Sequence, residues 1–181
     1  MTSRQARNEV LETAPTSADA ASPAVPVPES DELPPYLESA LASLISEWHD
    51  PSFTVTPELD SVTAARHFAT RTLGGWDMGA LADDVGLVVT ELVTNALRHS
   101  LPPCPKAAER TSIRLRLLRQ YSWVLCGIMD AASSAPMRRE PDFVAETGRG
   151  LHLVDSFSAR WGWRGLAPGG KVVWALFHVP A

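Results

Sequence analysis

Thr90-Glu91-Leu92-Val93-Thr94-Asn95-Ala96-Leu97-Arg98-His99-Ser100 is the stretch on which the fold of this chain turns. It completes an apolar stripe, Leu81, Val85, Val88, Val89, Leu92 and Ala96, whose three- and four-residue spacing predicts a helix from a cap at Asp77 to about Ser100. Glu91 and Asn95 stand four residues apart, and Arg98 or His99 follows one turn later, so the polar groups share one helical face. A solvated face braced by spacing-four pairs is the plain explanation. Asn, however, competes for backbone hydrogen bonds and is a poor helix-interior residue, so its place in mid-helix asks for a further reason.

Signals on either side are regular. Phe53-Thr54-Val55 suggests a short strand, and Thr56-Pro57 supplies an N-cap and a first-turn proline for a helix with Leu59, Val62, Ala65, Ala69 and Leu73 inward and Gly74-Gly75 as its stop. A Pro-rich turn at residues 101–105 ends the Asn95 helix. Ile113, Leu115 and Leu117 alternate with Arg114 and Arg116, and residues 123–129 are nearly all apolar, which predicts neighbouring strands of one sheet. That second strand ends on Asp130, either an ordinary exit to a loop or a binding group. Gly148-Arg149-Gly150 then opens a helix to about Ser158, where free amides and the positive end of the helix dipole suit a phosphate. The third glycine of a dinucleotide fingerprint and the GK[ST] of a P-loop are both missing. Strands over residues 160–163 and 171–179 complete the pattern. Helices gathered beside a run of strands predict an α+β fold: a two-layer α/β sandwich with a mixed, mostly antiparallel sheet and its helices on one face.

With 181 residues, 45% of them hydrophobic and 20% charged, the chain has the material for one ordinary core. Residues 1–35 hold six of the fifteen prolines and almost no large apolar side chains, so they are expected to be a disordered leader. Residues 36–50 form an accessory amphipathic helix with Leu37, Leu41, Leu44, Ile45 and Trp48 on one stripe, either docked on the domain or serving a partner or a homodimer. Residues 51–181 make the domain. Residues 1–50 carry two Arg against nine Asp or Glu, about −7, which leaves the domain near +2 and without the clustered basic face that binding nucleic acid directly would need. No apolar run is long enough to cross a membrane, and there is no secretory h-region. Cys104 and Cys126 lie far apart without metal-ligand spacing, which fits a reducing compartment; the expected location is cytoplasmic.

Taken in order, Glu91 to Asn95, Asp130 at a strand end, Gly148-Arg149-Gly150-Leu151 and Gly169-Gly170-Lys171 resemble the GHKL superfamily of histidine-kinase-like ATPase domains. The nearest likeness is to the short, single-domain relatives of anti-sigma-factor serine kinases found in actinobacteria. The resemblance covers about residues 52–179 and rests on TELVTNALRHS and ETGRGLHLVDSFSARWGW.

It implies a Bergerat-type ATP-binding fold with ATP and Mg²⁺ as cofactors. Asn95 would ligate the metal, and Glu91 would be the general base. His99 or Arg98 would contact phosphate, Asp130 would accept from the adenine amino group, and Gly148, Arg149, Gly150 and Leu151 would form the hinge and start of the ATP lid. Ala132, where the family often has Gly or Ser, and Val172, where Thr is frequent, are departures beside the expected base pocket that would weaken nucleotide affinity. The implied function is an ATP-binding regulator, an anti-sigma factor and serine/threonine kinase whose partner is a sigma factor or an anti-sigma-factor antagonist. The alternative is a non-catalytic interaction module of the same fold. A sensor histidine kinase fits poorly, because the only upstream histidine, His49, ends a single short helix.

Overall fold

The computed structural model describes residues 25–30, 32–46, 51–58, 60–100, 112–138 and 150–179. In chain order these form β1 (Val25–Pro26), α1 (Pro35–Ile45), β2 (Ser52–Val55), α2 (Ser61–Gly75), a 3-10 turn (Gly79–Leu81), α3 (Ala82–Ser100), β3 (Ile113–Gln120), β4 (Trp123–Asp130), β5 (Met137–Arg138), α4 (Gly150–Phe157), β6 (Arg160–Gly165) and β7 (Lys171–His178). The main sheet has the order β2-β3-β4-β7-β6; expected as mostly antiparallel, it has only antiparallel neighbours. The short pair β1–β5 lies outside it.

Alternation along β4 and β7 divides the apolar residues between two cores. Val124, Cys126, Ile128, Val173, Ala175 and Phe177 belong to the core that α2, α3 and α4 cover. Trp123, Leu125, Val172, Trp174 and Leu176 pack instead with Leu37, Ala40, Leu41 and Leu44 of α1. The sandwich of helices on one face is formed by α2–α4, and the accessory helix takes the opposite face. Its apolar stripe is thus occupied within the chain.

Two devices on β3 and β4 seat α1. Arg116, only 2% exposed, donates through Nη1 to the carbonyls of Leu44, Ile45 and Ser46 in the last turn of α1. Those carbonyls lack intrahelical partners and carry the negative end of the helix dipole. Beside it Gly127 leaves room for Leu44: a Cβ there would come within 2.4 Å of Leu44 Cδ2. At the rim, Arg164 holds the Glu38 carboxylate with two hydrogen bonds, at 2.5 and 2.8 Å.

Several expected boundaries move. The first long helix begins at Ser61 after an Asp60 N-cap, with Thr56-Pro57 left in the connection, because Ser61 closes a turn onto the Glu58 carbonyl through both its amide and its hydroxyl. Asp77 has a φ of 57° and makes a left-handed turn, so α3 starts after the 3-10 turn and not from an Asp77 cap. Residues 25–30, assigned by composition to the disordered leader, are held by backbone bonds that composition does not show. Val27 N–H donates to Pro136 O at 2.9 Å and Ser30 N–H to Trp163 O at 3.0 Å. The rest of the leader up to residue 24 and the end of the 36–50 segment, residues 47–50, lie outside the described residues.

Two outcomes follow from this packing. Gly127→Ala should lower unfolding free energy by about 1–3 kcal/mol through overpacking, and Leu44→Ala by about 2–5 kcal/mol through a cavity. Combined, they should cost less than their sum, since each relieves the other's misfit; urea unfolding of the three variants checks this. Burial pushes the Cys126 thiol up to about 12, so at pH 8 it stays protonated. Mass-spectrometric mapping should find Cys126 unalkylated in the native chain and alkylated only after unfolding.

Candidate functional site

A cavity of about 380 Å³ lies between α3, α4, the ends of β4 and β7, and the segment 134–137. That volume falls within the range of small-molecule sites. Leu92, Ala96, Ile128, Leu151 and Val173 give it apolar walls, and Pro26 and Met137 close one side. Its polar side chains come from three places: Asn95 and His99 on α3, Asp130 and Lys171 on the strand ends, and Ser134 in the segment after β4.

Asp130 and Lys171 meet because antiparallel register sets the last residue of β4 opposite the first of β7. Their side chains are 1% and 7% exposed, and Lys171 Nζ lies 2.8 Å from Asp130 Oδ1. Charges so deprived of water persist only when paired and hydrogen-bonded. The surroundings supply the remainder. Ala132 N–H donates to Oδ1 at 2.8 Å, closing an Asx-turn, and Ala132 O accepts from Nζ at 3.2 Å. Gly170 makes the approach possible: its φ is +91°, and a Cβ there would lie 2.4 Å from the Asp130 carbonyl oxygen. Among the described residues Asp130 Oδ2 accepts no hydrogen bond, and one of the three ammonium hydrogens of Lys171 has no acceptor.

On α3, the four-residue spacing places Glu91, Asn95 and His99 along one face, as the sequence requires. Asn95 and His99 face the cavity, whereas half-buried Glu91 sits at its margin beside the first residue of α4. A Cβ on Gly150 would lie 2.6 Å from Glu91 Oε2 and 3.6 Å from Asn95 Nδ2. Glycine at 150 therefore lets α4 begin directly against the two polar side chains.

The structure gathers most of the expected site and redistributes the rest. Asn95, His99, Asp130 and Leu151 line one cavity, with Glu91 and Gly150 adjoining. Ala132 contributes only its backbone, through the Asp130–Lys171 pair. Val172 does not belong to the site: strand alternation turns its side chain to the α1 face. Gly148 and Arg149 lie outside the described residues. Lys171 is the residue the sequence reading missed as a site group. A signal existed, since the chain has two lysines and one of them begins an apolar strand, where a charge needs a partner.

A family model of the histidine kinase-like ATPase domain matches residues 55–177. The chain belongs to that family. No curated protein matches it. The ATPase domain thus supports nucleotide binding, and the cavity fits that ligand: its apolar walls suit a base, and Asn95, His99, Asp130 and Lys171 add polar groups to the lining. No cluster of three His, Cys, Asp or Glu side chains able to hold a metal exists among the described residues. A Mg²⁺ ion beside Asn95 would therefore draw its remaining oxygens from phosphates and water.

Asp130→Ala leaves a buried ammonium unpaired and should destabilise the ATPase domain by up to about 3–5 kcal/mol. The double change Asp130→Ala with Lys171→Met should recover most of that loss in denaturant unfolding.

Proposed function

We propose that the chain is an ATP-binding regulatory protein of the cytoplasm, an anti-sigma factor that binds Mg²⁺-ATP and phosphorylates a serine or threonine of an anti-sigma-factor antagonist. One observation carries this: Asp130, whose Oδ2 accepts no hydrogen bond among the described residues, lines one largely apolar cavity together with the polar side chains Asn95 and His99 of α3. Asp130 would accept from the adenine amino group, Asn95 would ligate the metal, and His99 would contact phosphate. ATP would supply the γ-phosphoryl group.

Glu91, at the cavity margin, would take the proton of an incoming hydroxyl as its oxygen bonds to phosphorus and the bond to the bridging oxygen breaks, releasing ADP. Such a base contributes about 10²–10⁴-fold, and the remaining demand is for positioning and charge stabilisation. The features that would favour a non-catalytic module lose force here. Val172 faces away from the cavity and Ala132 acts through its backbone, so neither takes a contact from the ligand. The stripe of α1 is already covered by the sheet, so a sigma factor or antagonist would dock elsewhere.

Glu91→Gln tests the reading. It should bind Mg²⁺-ATP within about twofold of wild type and transfer phosphate to the antagonist about 10²–10⁴-fold more slowly. Equal transfer by both proteins removes Glu91 as the base, and ATP binding without transfer to any sigma-factor antagonist of the source cell removes the kinase.

A further inference from the structure

We infer that Lys171 reads the nucleotide base together with Asp130, donating its unused N–H to the ring nitrogen beside the amino group, N1 of adenine. The inference rests on the ATP-binding reading and assigns the residue that discriminates within it. Lys171 lines the cavity together with Asp130, with its ammonium 2.8 Å from Asp130 Oδ1. Two of its hydrogens are committed, to Asp130 Oδ1 and Ala132 O. Among the described residues the third is the donor left over, and Asp130 Oδ2 is the acceptor left over.

One open acceptor beside one open donor is the complement of a donor beside an acceptor. The Watson–Crick edge of adenine presents that order, with the amino group at position 6 and the lone pair at N1. Held in the pose that adenine takes, a base with a 6-carbonyl and an N1–H, such as guanine or hypoxanthine, would set oxygen against carboxylate and N–H against ammonium. A site built around buried polar groups rejects the analogue that leaves them unpaired. The ion pair also presents a nearly neutral end to an anionic nucleotide, where a lone carboxylate would repel it. The frame is rigid: both side chains start from paired strand residues, and Gly170 and Ala132 fix the turn between them.

The test is a calorimetric binding comparison on the full chain with ATP, GTP and 1-deaza-ATP, in which a C–H replaces ring N1. A charge-assisted hydrogen bond is worth about 1.5–3 kcal/mol, so wild type should bind 1-deaza-ATP roughly ten- to hundredfold more weakly than ATP, and GTP more weakly still. In Lys171→Met the ratio of ATP to 1-deaza-ATP affinity should collapse to within about threefold. Lys171→Gln, which keeps a neutral donor, should retain a reduced ratio and serves if the Met variant does not fold. Equal binding of ATP and 1-deaza-ATP by wild type overturns the assignment while leaving ATP binding intact. So does a wild-type ratio that persists undiminished in the Lys171 variants. Failure of wild type to bind ATP at all overturns both the assignment and the ATP reading.

Discussion

A sheet covered on both faces leaves its central strands no side on which a polar residue meets water. β4 and β7 obey that constraint along nearly their whole length, and it accounts for both their composition and the location of the site. In β4 and β7 charged groups enter only at the ends, where the chain leaves the sheet, and there they must satisfy one another. Asp130 and Lys171 do so across one antiparallel step. The pair is thus a consequence of sheet burial as much as a feature of the cavity. The same burial makes α1 part of the fold, because without it Trp174, Leu176 and Leu125 would face solvent.

The second wall of the site follows from a different periodicity. In α3 the stripe from Leu81 to Ala96 is buried as its spacing requires, which fixes the rotation of the helix about its axis. Once that rotation is set, residues at 91, 95 and 99 must run along the neighbouring face toward α4 and the strand ends. Gly150 permits close contact there, since the first turn of α4 can rest on Glu91 and Asn95 only without a side chain at that point. Two periods, one of helix and one of strand, therefore converge on one cavity without any long-range instruction beyond burial.

Periodicity also marks where sequence ceases to inform. It identifies which residues share a face, and on that basis α3, β3 and β4, the place of Asn95 on the polar face of α3 and that of Asp130 at a strand end are legible before any coordinates. It does not say what covers a face. Arg114 and Arg116 alternate with leucines and suggest a solvated side, yet Arg116 is buried under the end of α1, because a helix some seventy residues earlier needed its carbonyls satisfied. Val172 was assigned to the base pocket by position in a motif, and the two-residue strand repeat sends it to the other core. Lys171 escaped notice for the converse reason: its partner is forty-one residues away, and only register brings them together. Helix starts shifted because local turns, at Glu58–Ser61 and at Asp77, outcompeted the nearest plausible cap.

The segment 25–30 shows how far a low-complexity composition can mislead. It crosses from the edge strand β6 to the segment after β4, and hydrogen bonds hold it at each step. Trp163 donates its indole N–H to Val27 O and accepts from Ser30 N–H at its carbonyl, Gly165 N–H donates to Glu29, and Arg164 donates to Ser30 O. An exposed sheet edge invites pairing with other chains, and this strap blunts it. It then pairs as β1 with β5 and places Pro26 in the cavity wall. Sheet edge, strap and wall are consequently one hydrogen-bonded unit. Displacing residues 25–30 would expose β6 and remove one side of the cavity together, so the order of this short segment and the shape of the site are not independent quantities.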